Sequence, residues 1–194
     1  MLFVIDYLYV TIVNMHYEKE IALLKKGEIG VMPTDTIYGL VGSALIPTAV
    51  EEIYALKKRD PKKPLIVLIH DINDLALFHI HPDALKNKIL QKYWPGPVSI
   101  ILSCNDDSFF YLHRGEKSIA FRMPKLPWLI EFLKETGPLV APSANTEGNP
   151  PAKNITEAKN YFGEKTSFYI NMGEKTGNPS MLISLINNKE VKVR

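Results

Sequence analysis

The chain has 194 residues, 46% hydrophobic and 23% charged, the balance of an ordinary globular domain long enough to bury a core without staples. Lys and Arg number 23 against 21 Asp and Glu, so a net charge of +2 excludes a polybasic nucleic-acid binder, and any basic site must come from clustering. The single cysteine, Cys104, excludes an internal disulfide and a cysteine-rich zinc site, and it fits a reducing, cytoplasmic setting.

Residues 1–14 are apolar but interrupted by Asp6, without a basic leader or a small-residue cleavage site, and too short to span a bilayer. They read as an extended N-terminal extension before a single domain over 15–194, with Met15 as an alternative start. Tyr17 to Lys26 reads as a helix capped by Gly27. A strand from Glu28 to Met32 then reaches Pro33, where a sheet ladder cannot continue. The pair Thr48 and Glu51 has capping-box spacing and opens a helix burying Val50, Ile53, Tyr54 and Leu56. It ends before Pro61.

Leu65 to Ile69 is a continuous apolar run, as expected of a central strand covered on both faces. Pro82 to Tyr93 repeats Leu85, Ile89, Leu90 and Tyr93 at helical spacing, and Pro95-Gly96-Pro97 stops it. Val98 to Leu102 and Ile119 to Met123 read as strands, with a hairpin-like excursion over Asn105 to Gly115. Pro127 suits the first position of a helix ending near Gly137. Asn154 and Glu157 open another helix, and short strands are expected over Ser167 to Ile170, Leu182 to Leu185 and Glu190 to Val193. Several strands lack a crossover helix, so the expected fold is a single-domain α/β protein with a twisted mixed sheet, parallel and antiparallel, flanked by helices.

One pattern occurs twice: a short apolar run reaches Pro33 or Pro142, and small hydroxyl and amide side chains follow at once. Thr34-Asp35-Thr36 and Ser143-Ala144-Asn145 would therefore sit past the carboxyl ends of strands, where open α/β sheets bind ligands. Either cluster alone also reads as a polar turn. Lys57, Lys58, Arg59, Lys62 and Lys63 form the densest basic cluster, which by itself also suits a solvated helix end. Arg122 interrupts the apolar strand I-A-F-R-M. If buried, its charge needs a partner, and its fork matches a carboxylate or a phosphate. One cation, worth about 4 kcal/mol to a unit charge 4 Å away at an effective dielectric near 20, cannot neutralise a triphosphate, whereas Lys57, Arg59, Lys63 and Arg122 together can.

Neither a G-x-x-x-x-G-K-[ST] nor a G-x-G-x-x-G motif is present. His79 and His81 lack a nearby third metal ligand, so that segment reads as a loop. Ser143 has no neighbouring histidine in sequence, which favours binding over nucleophilic attack.

Together, P-T-D-T-I-Y-G-L (Pro33 to Leu40), L-K-K-R-D-P-K-K-P-L (Leu56 to Leu65), W-P-G-P-V-S (Trp94 to Ser99), A-F-R-M-P (Ala120 to Pro124), P-S-A-N-T-E-G (Pro142 to Gly148) and N-P-S (Asn178 to Ser180) resemble the YrdC-like family of threonylcarbamoyl-AMP synthases. The match runs from about Glu20 to the C-terminus and looks like the short, single-domain form. The resemblance implies a large concave basic site that joins ATP, L-threonine and bicarbonate into threonylcarbamoyl-AMP and pyrophosphate. It implies Mg²⁺ carried by the triphosphate rather than by dedicated protein ligands. A transferase complex that modifies tRNA would take the product.

The family's K-x-R and S-x-N tetrad maps onto Lys57, Arg59, Ser143 and Asn145 as catalytic residues. ATP binding would add Lys63, Arg122 and Ser180, and threonine binding would use Thr34, Tyr38 and Arg122. The chain departs from the family pattern at Glu147, where serine is usual and which should point outward, and at Leu68, where one branch carries histidine. The same basic concavity in an RNA-binding or ribosome-maturation factor would hold tRNA or double-stranded RNA instead.

Overall fold

In a computed structural model, which describes residues 16–186 and 189–194, nine strands form one sheet. The expected extension over 1–14 and the alternative start at Met15 lie outside the described residues. The strands are β1 (Gly30–Pro33), β2 (Tyr38–Ser43), β3 (Ile66–Leu68), β4 (Val98–Ser103), β5 (Ser118–Arg122), β6 (Leu139–Val140), β7 (Phe168–Tyr169), β8 (Met181–Ser184) and β9 (Val191–Lys192). Their spatial order is β7-β1-β2-β6-β3-β5-β4-β8-β9. The β1–β7, β3–β5 and β4–β8 pairs are parallel and the others antiparallel. This is the mixed sheet expected from the scarcity of crossover helices. The helices are α1 (16–25), α2 (Pro47–Lys57), α3 (Ala84–Tyr93), α4 (Phe110–His113), α5 (Pro127–Thr136) and α6 (Ile155–Phe162).

Side chains alternate across a strand, so neighbouring residues feed different cores. Val31, Leu40, Val67 and Val140 face one cluster, shared with Ile53 of α2, Leu90 of α3 and Phe162 of α6. Met32, Val41, Leu68 and Leu139 face the other, built with Leu24 of α1 and Phe132 and Leu133 of α5. In the L-I-V-L-I run, Leu65, Val67 and Ile69 pack in the first cluster and Leu68 in the second, while Ile66 stays only partly covered. At Gly30 an added Cβ would come within 2.3 Å of the Phe168 ring, so only glycine lets β7 close against β1 here.

Some expectations change. The Thr48 and Glu51 capping box does not form. Helix α2 starts at Pro47 with Ile46 as an extended N-cap that makes no side-chain cap. Proline at the first position supplies the helical φ and needs no N–H partner, so the start moves one residue ahead of Thr48. On α3 only Leu90 is fully buried, while Leu85 is 52% exposed. The excursion between β4 and β5 does close an antiparallel pair, but it contains a 3₁₀ turn (Asp107–Phe109) and α4 rather than extended chain. Asn154 caps α6 by accepting from Glu157 N–H at 2.9 Å, as its sequence position suggested.

Candidate functional site: a cavity lined by arginines and hydroxyls

Helices α1 and α5 cover the second face of the sheet over its β7, β1, β2, β6 and β3 side. Beyond them, the same parity of side chains on β3, β5, β4 and β8 floors a cavity of about 390 Å³ with Ile66, Ala120, Ile101 and Leu182. Strands β1 and β6 are both antiparallel to β2, so they run the same way and deliver their polar turns to one end. The turn after β1 is a hairpin tip: Thr34 N–H donates to Ile37 O at 2.9 Å. Thr34 Oγ1 donates to the same oxygen at 2.8 Å and accepts from Thr36 N–H at 3.2 Å. The turn after β6 lies directly against β2, through a bridge between Gly39 and Ser143 and a bond from Ala144 N–H to Tyr38 O at 2.9 Å. Pro33 still closes the β1–β2 ladder opposite Tyr38, so the chain leaves the sheet one residue after the proline.

Of the residues expected at a site, Thr34, Arg59, Arg122, Ser143 and Ser180 line the cavity. Arg122 is 3% exposed on the floor. Its Nη2 is 3.1 Å from Asp35 Oδ1 and 3.4 Å from Thr34 Oγ1. The Asp35 contact is a charge pairing without hydrogen-bond alignment, and among the described residues Nε of Arg122 has no hydrogen-bond partner. Burial lowers the pKa of Arg122, Asp35 opposes that shift, and Arg194 adds to it. A buried guanidinium with an unused donor on a cavity floor suits an anionic group. Arg59 reaches the cavity from the turn after α2, held by bonds to Lys63 O at 3.0 Å and Pro64 O at 3.1 Å.

Lys57, Lys63, Asn145 and Tyr38 stand outside the cavity lining. Lys57 is 2% exposed, and its ammonium donates to Ser143 O at 2.5 Å, Asn145 O at 2.7 Å and Asn145 Oδ1 at 3.2 Å. An ammonium has three N–H donors, and the turn takes all of them. Burial pulls the Lys57 pKa down from 10.5 to about 7; Arg59 adds to that shift and Glu147 opposes it. Asn145 is equally committed: Oδ1 accepts from Ser143 Oγ at 2.5 Å, and Nδ2 donates to Thr146 O and Asn149 O. Tyr38 is buried, with its hydroxyl donating to Gly173 O at 2.7 Å, so it anchors the segment leading to Ser180.

Lys63 pairs with Glu147 at 2.6 Å. Glu147 does not line the cavity but reaches across to the turn that carries Arg59. Leu68 is buried in the second core.

Thr36, from the polar cluster expected at a strand end, also lines the cavity, whereas sequence reasoning missed Ser118, Glu116 and Arg194, which line it too. Ser118 was legible, since it shares the parity of Ala120 and Arg122 on β5. Arg194 was not, because it reaches the site through the pairing of Leu182 N–H with Arg194 O at 3.1 Å and donates to Ser180 O at 3.1 Å. Among the described residues no group of three His, Cys, Asp or Glu side chains converges to hold a metal, and no helix is long and apolar enough to cross a membrane.

Fold and site together define an α/β domain whose mixed sheet carries, over one face, a cavity lined by guanidinium and hydroxyl groups together with one carboxylate, Glu116. A family model described as "Telomere recombination", covering the Sua5, YciO and YrdC proteins, matches residues 22–194, and the chain belongs to this family. It is 39% identical over 132 residues to the threonylcarbamoyl-AMP synthase of Bacillus subtilis, an alignment covering 66% of this chain and 38% of that protein. It is 28% identical to the threonylcarbamoyl-AMP synthase of Cellvibrio japonicus, over 88% of this chain and 91% of the other. The crystal structure of P. abyssi Sua5 complexed with L-threonine superposes with a TM-score of 0.83 at 27% identity, covering 90% of this chain and 52% of that one. The chain thus spans about half or less of two of these relatives.

Proposed function

We propose that this chain is an L-threonylcarbamoyladenylate synthase, a nucleotidyltransferase that makes threonylcarbamoyl-AMP and pyrophosphate from ATP, L-threonine and bicarbonate. The observation that carries this reading is one cavity that combines Arg59, Arg122 and Arg194 with the hydroxyls of Thr34, Thr36, Ser118, Ser143 and Ser180. Relatives named for this reaction support it, as does the P. abyssi protein complexed with L-threonine. Threonine's amine condenses with bicarbonate to a carbamate, releasing water. A carbamate oxygen then attacks the α-phosphorus, and the bond to the leaving pyrophosphate breaks.

Two anions must meet, so the protein's contribution is positioning and charge stabilisation. In this reading Arg122, beside Thr34, receives the amino-acid carboxylate, while Arg59 and Arg194 receive phosphate oxygens. Ser143 adds a neutral hydrogen bond between them. Lys57 and Asn145 hold the Ser143 turn in place, as their internal hydrogen bonds suggest. Glu116 is the carboxylate on the cavity wall. A lone carboxylate with phosphates nearby fits Mg²⁺ arriving on the nucleotide, where it would neutralise triphosphate charge. A transferase complex acting on tRNA would consume the adenylate.

The test is pyrophosphate release from ATP and Mg²⁺ with threonine and bicarbonate omitted in turn. Release needing both, and reduced at least about tenfold in Arg122→Ala and Ser143→Ala, supports the synthase. Release indifferent to threonine overturns it. So does duplex-RNA binding with a steep salt dependence and no release, which would favour the RNA-binding alternative.

A further inference from the structure

Glu147 stands where the family resemblance expects serine, inside the S-A-N-T-E-G turn, and it is the acidic partner of the basic cluster after α2. Its Oε1 accepts from Lys63 Nζ at 2.6 Å, and its Oε2 accepts from Asp60 N–H at 2.6 Å. Its own N–H donates to Lys57 O at 2.8 Å. The Lys63 and Asp60 contacts, followed by the charges of Lys63 and Arg59, hold its carboxyl below the usual carboxylate range. Its charge also acts on Lys57. The carboxylate thus contacts Lys63 directly and acts on Arg59 and Lys57 through charge alone, with Asp60 contributing its backbone and its side chain turned to Lys62 N–H.

We propose that Glu147 is a built-in counter-ion for this cluster, an affinity-setting residue that occupies Lys63 and that a polyphosphate ligand must displace. The proposal rests on the nucleotide reading of the cavity. The Lys63–Glu147 pair is partly exposed, with side chains 56% and 28% accessible. An ion pair that exposed is worth little. A triphosphate carries several negative charges, so it outcompetes one carboxylate for a flexible lysine. Glu147 keeps the Asp60 N–H meanwhile, so the turn that carries Arg59 does not collapse. A ligand with less charge gains less from the exchange. Pyrophosphate, the proposed product, meets the same competitor, and this favours its release.

The sign of the effect separates this role from a structural one. Titration calorimetry with ATP–Mg²⁺ and with inorganic triphosphate should show Glu147→Gln and Glu147→Ser binding about five- to tenfold tighter than wild type. Lys63→Ala should bind more weakly, and Glu147→Gln should have little effect in the Lys63→Ala background. In turnover, KM for ATP should fall, and kcat should fall with it as pyrophosphate leaves more slowly. Glu147→Asp should return towards wild type. If wild type binds ATP and Glu147→Gln binds equally or more weakly with an unchanged melting temperature, the counter-ion role is wrong and the synthase reading stands. If wild type binds neither ATP nor triphosphate, both fall.

Discussion

Lys57 and Arg59 are two residues apart and have opposite fates. Lys57 is the last residue of α2, and Lys58 turns left-handed at φ 51°. The helix axis therefore does not carry Arg59 onward, and Lys57 remains packed inside while Arg59 swings to the cavity. A buried ammonium is expensive unless its donors are used, and the Ser143 turn uses them. The depressed pKa makes a stability prediction with a definite sign. Between about pH 7 and 10.5 the unfolded chain binds a proton at this lysine that the folded chain has released, so the lysine's contribution to stability rises with pH across that window. Urea unfolding at about pH 6.5 and about pH 9 should show wild type gaining on Lys57→Met as pH rises. Equal changes in both proteins would show that the ammonium stays charged in its cage of oxygens.

At the scale of elements, the hairpin tip between β1 and β2 depends on a distant loop. An added Cβ on Gly177 would lie 2.4 Å from Thr36 O, a backbone atom that cannot rotate away. Gly177→Ala must therefore push its own loop and the tip that carries Thr34, Asp35 and Thr36 apart. The expected cost is about 1–3 kcal/mol in chemical denaturation, with a raised KM for L-threonine and little change in KM for ATP. An unchanged threonine KM would separate this tip from the amino-acid end of the cavity. The strands and most helices were legible because short apolar runs, helical spacing and prolines are local signals. The start of α2 was misread, since capping-box spacing and proline at the first position competed and the proline won. The 3₁₀ segment Ile72–Phe78, capped by Asp71, was not anticipated at all.

For the whole molecule, the same strands feed both cores, residue by residue. Neither face can melt while the other keeps its ladder, because Val67 and Leu68 are neighbours on one strand yet belong to different clusters. The two tryptophans report on the two sides: Trp94 is buried in the first core and Trp128 packs on the second. Fluorescence of Trp94→Phe and Trp128→Phe should give urea transitions that each coincide with the far-ultraviolet circular dichroism transition of the same variant. Separated midpoints within one variant would mean that the faces unfold independently.

The sequence by itself determined the class of fold and the ends of the strands that carry the site. Short continuous apolar runs, Pro33 and Pro142 act through neighbours in the chain. It also marked Arg122, because a charge inside an apolar strand has few places to go. Which cations face the cavity was decided only by tertiary structure. Lys57, Arg59 and Lys63 carry the same charge in one basic cluster, but one is bound by the Ser143 turn, one is held by Lys63 O and Pro64 O at the cavity, and one is held by Glu147. Arg194 arrives through the pairing of β8 with the last strand. A charge's partner is set by satisfying hydrogen bonds across long sequence separations, and no local pattern encodes that.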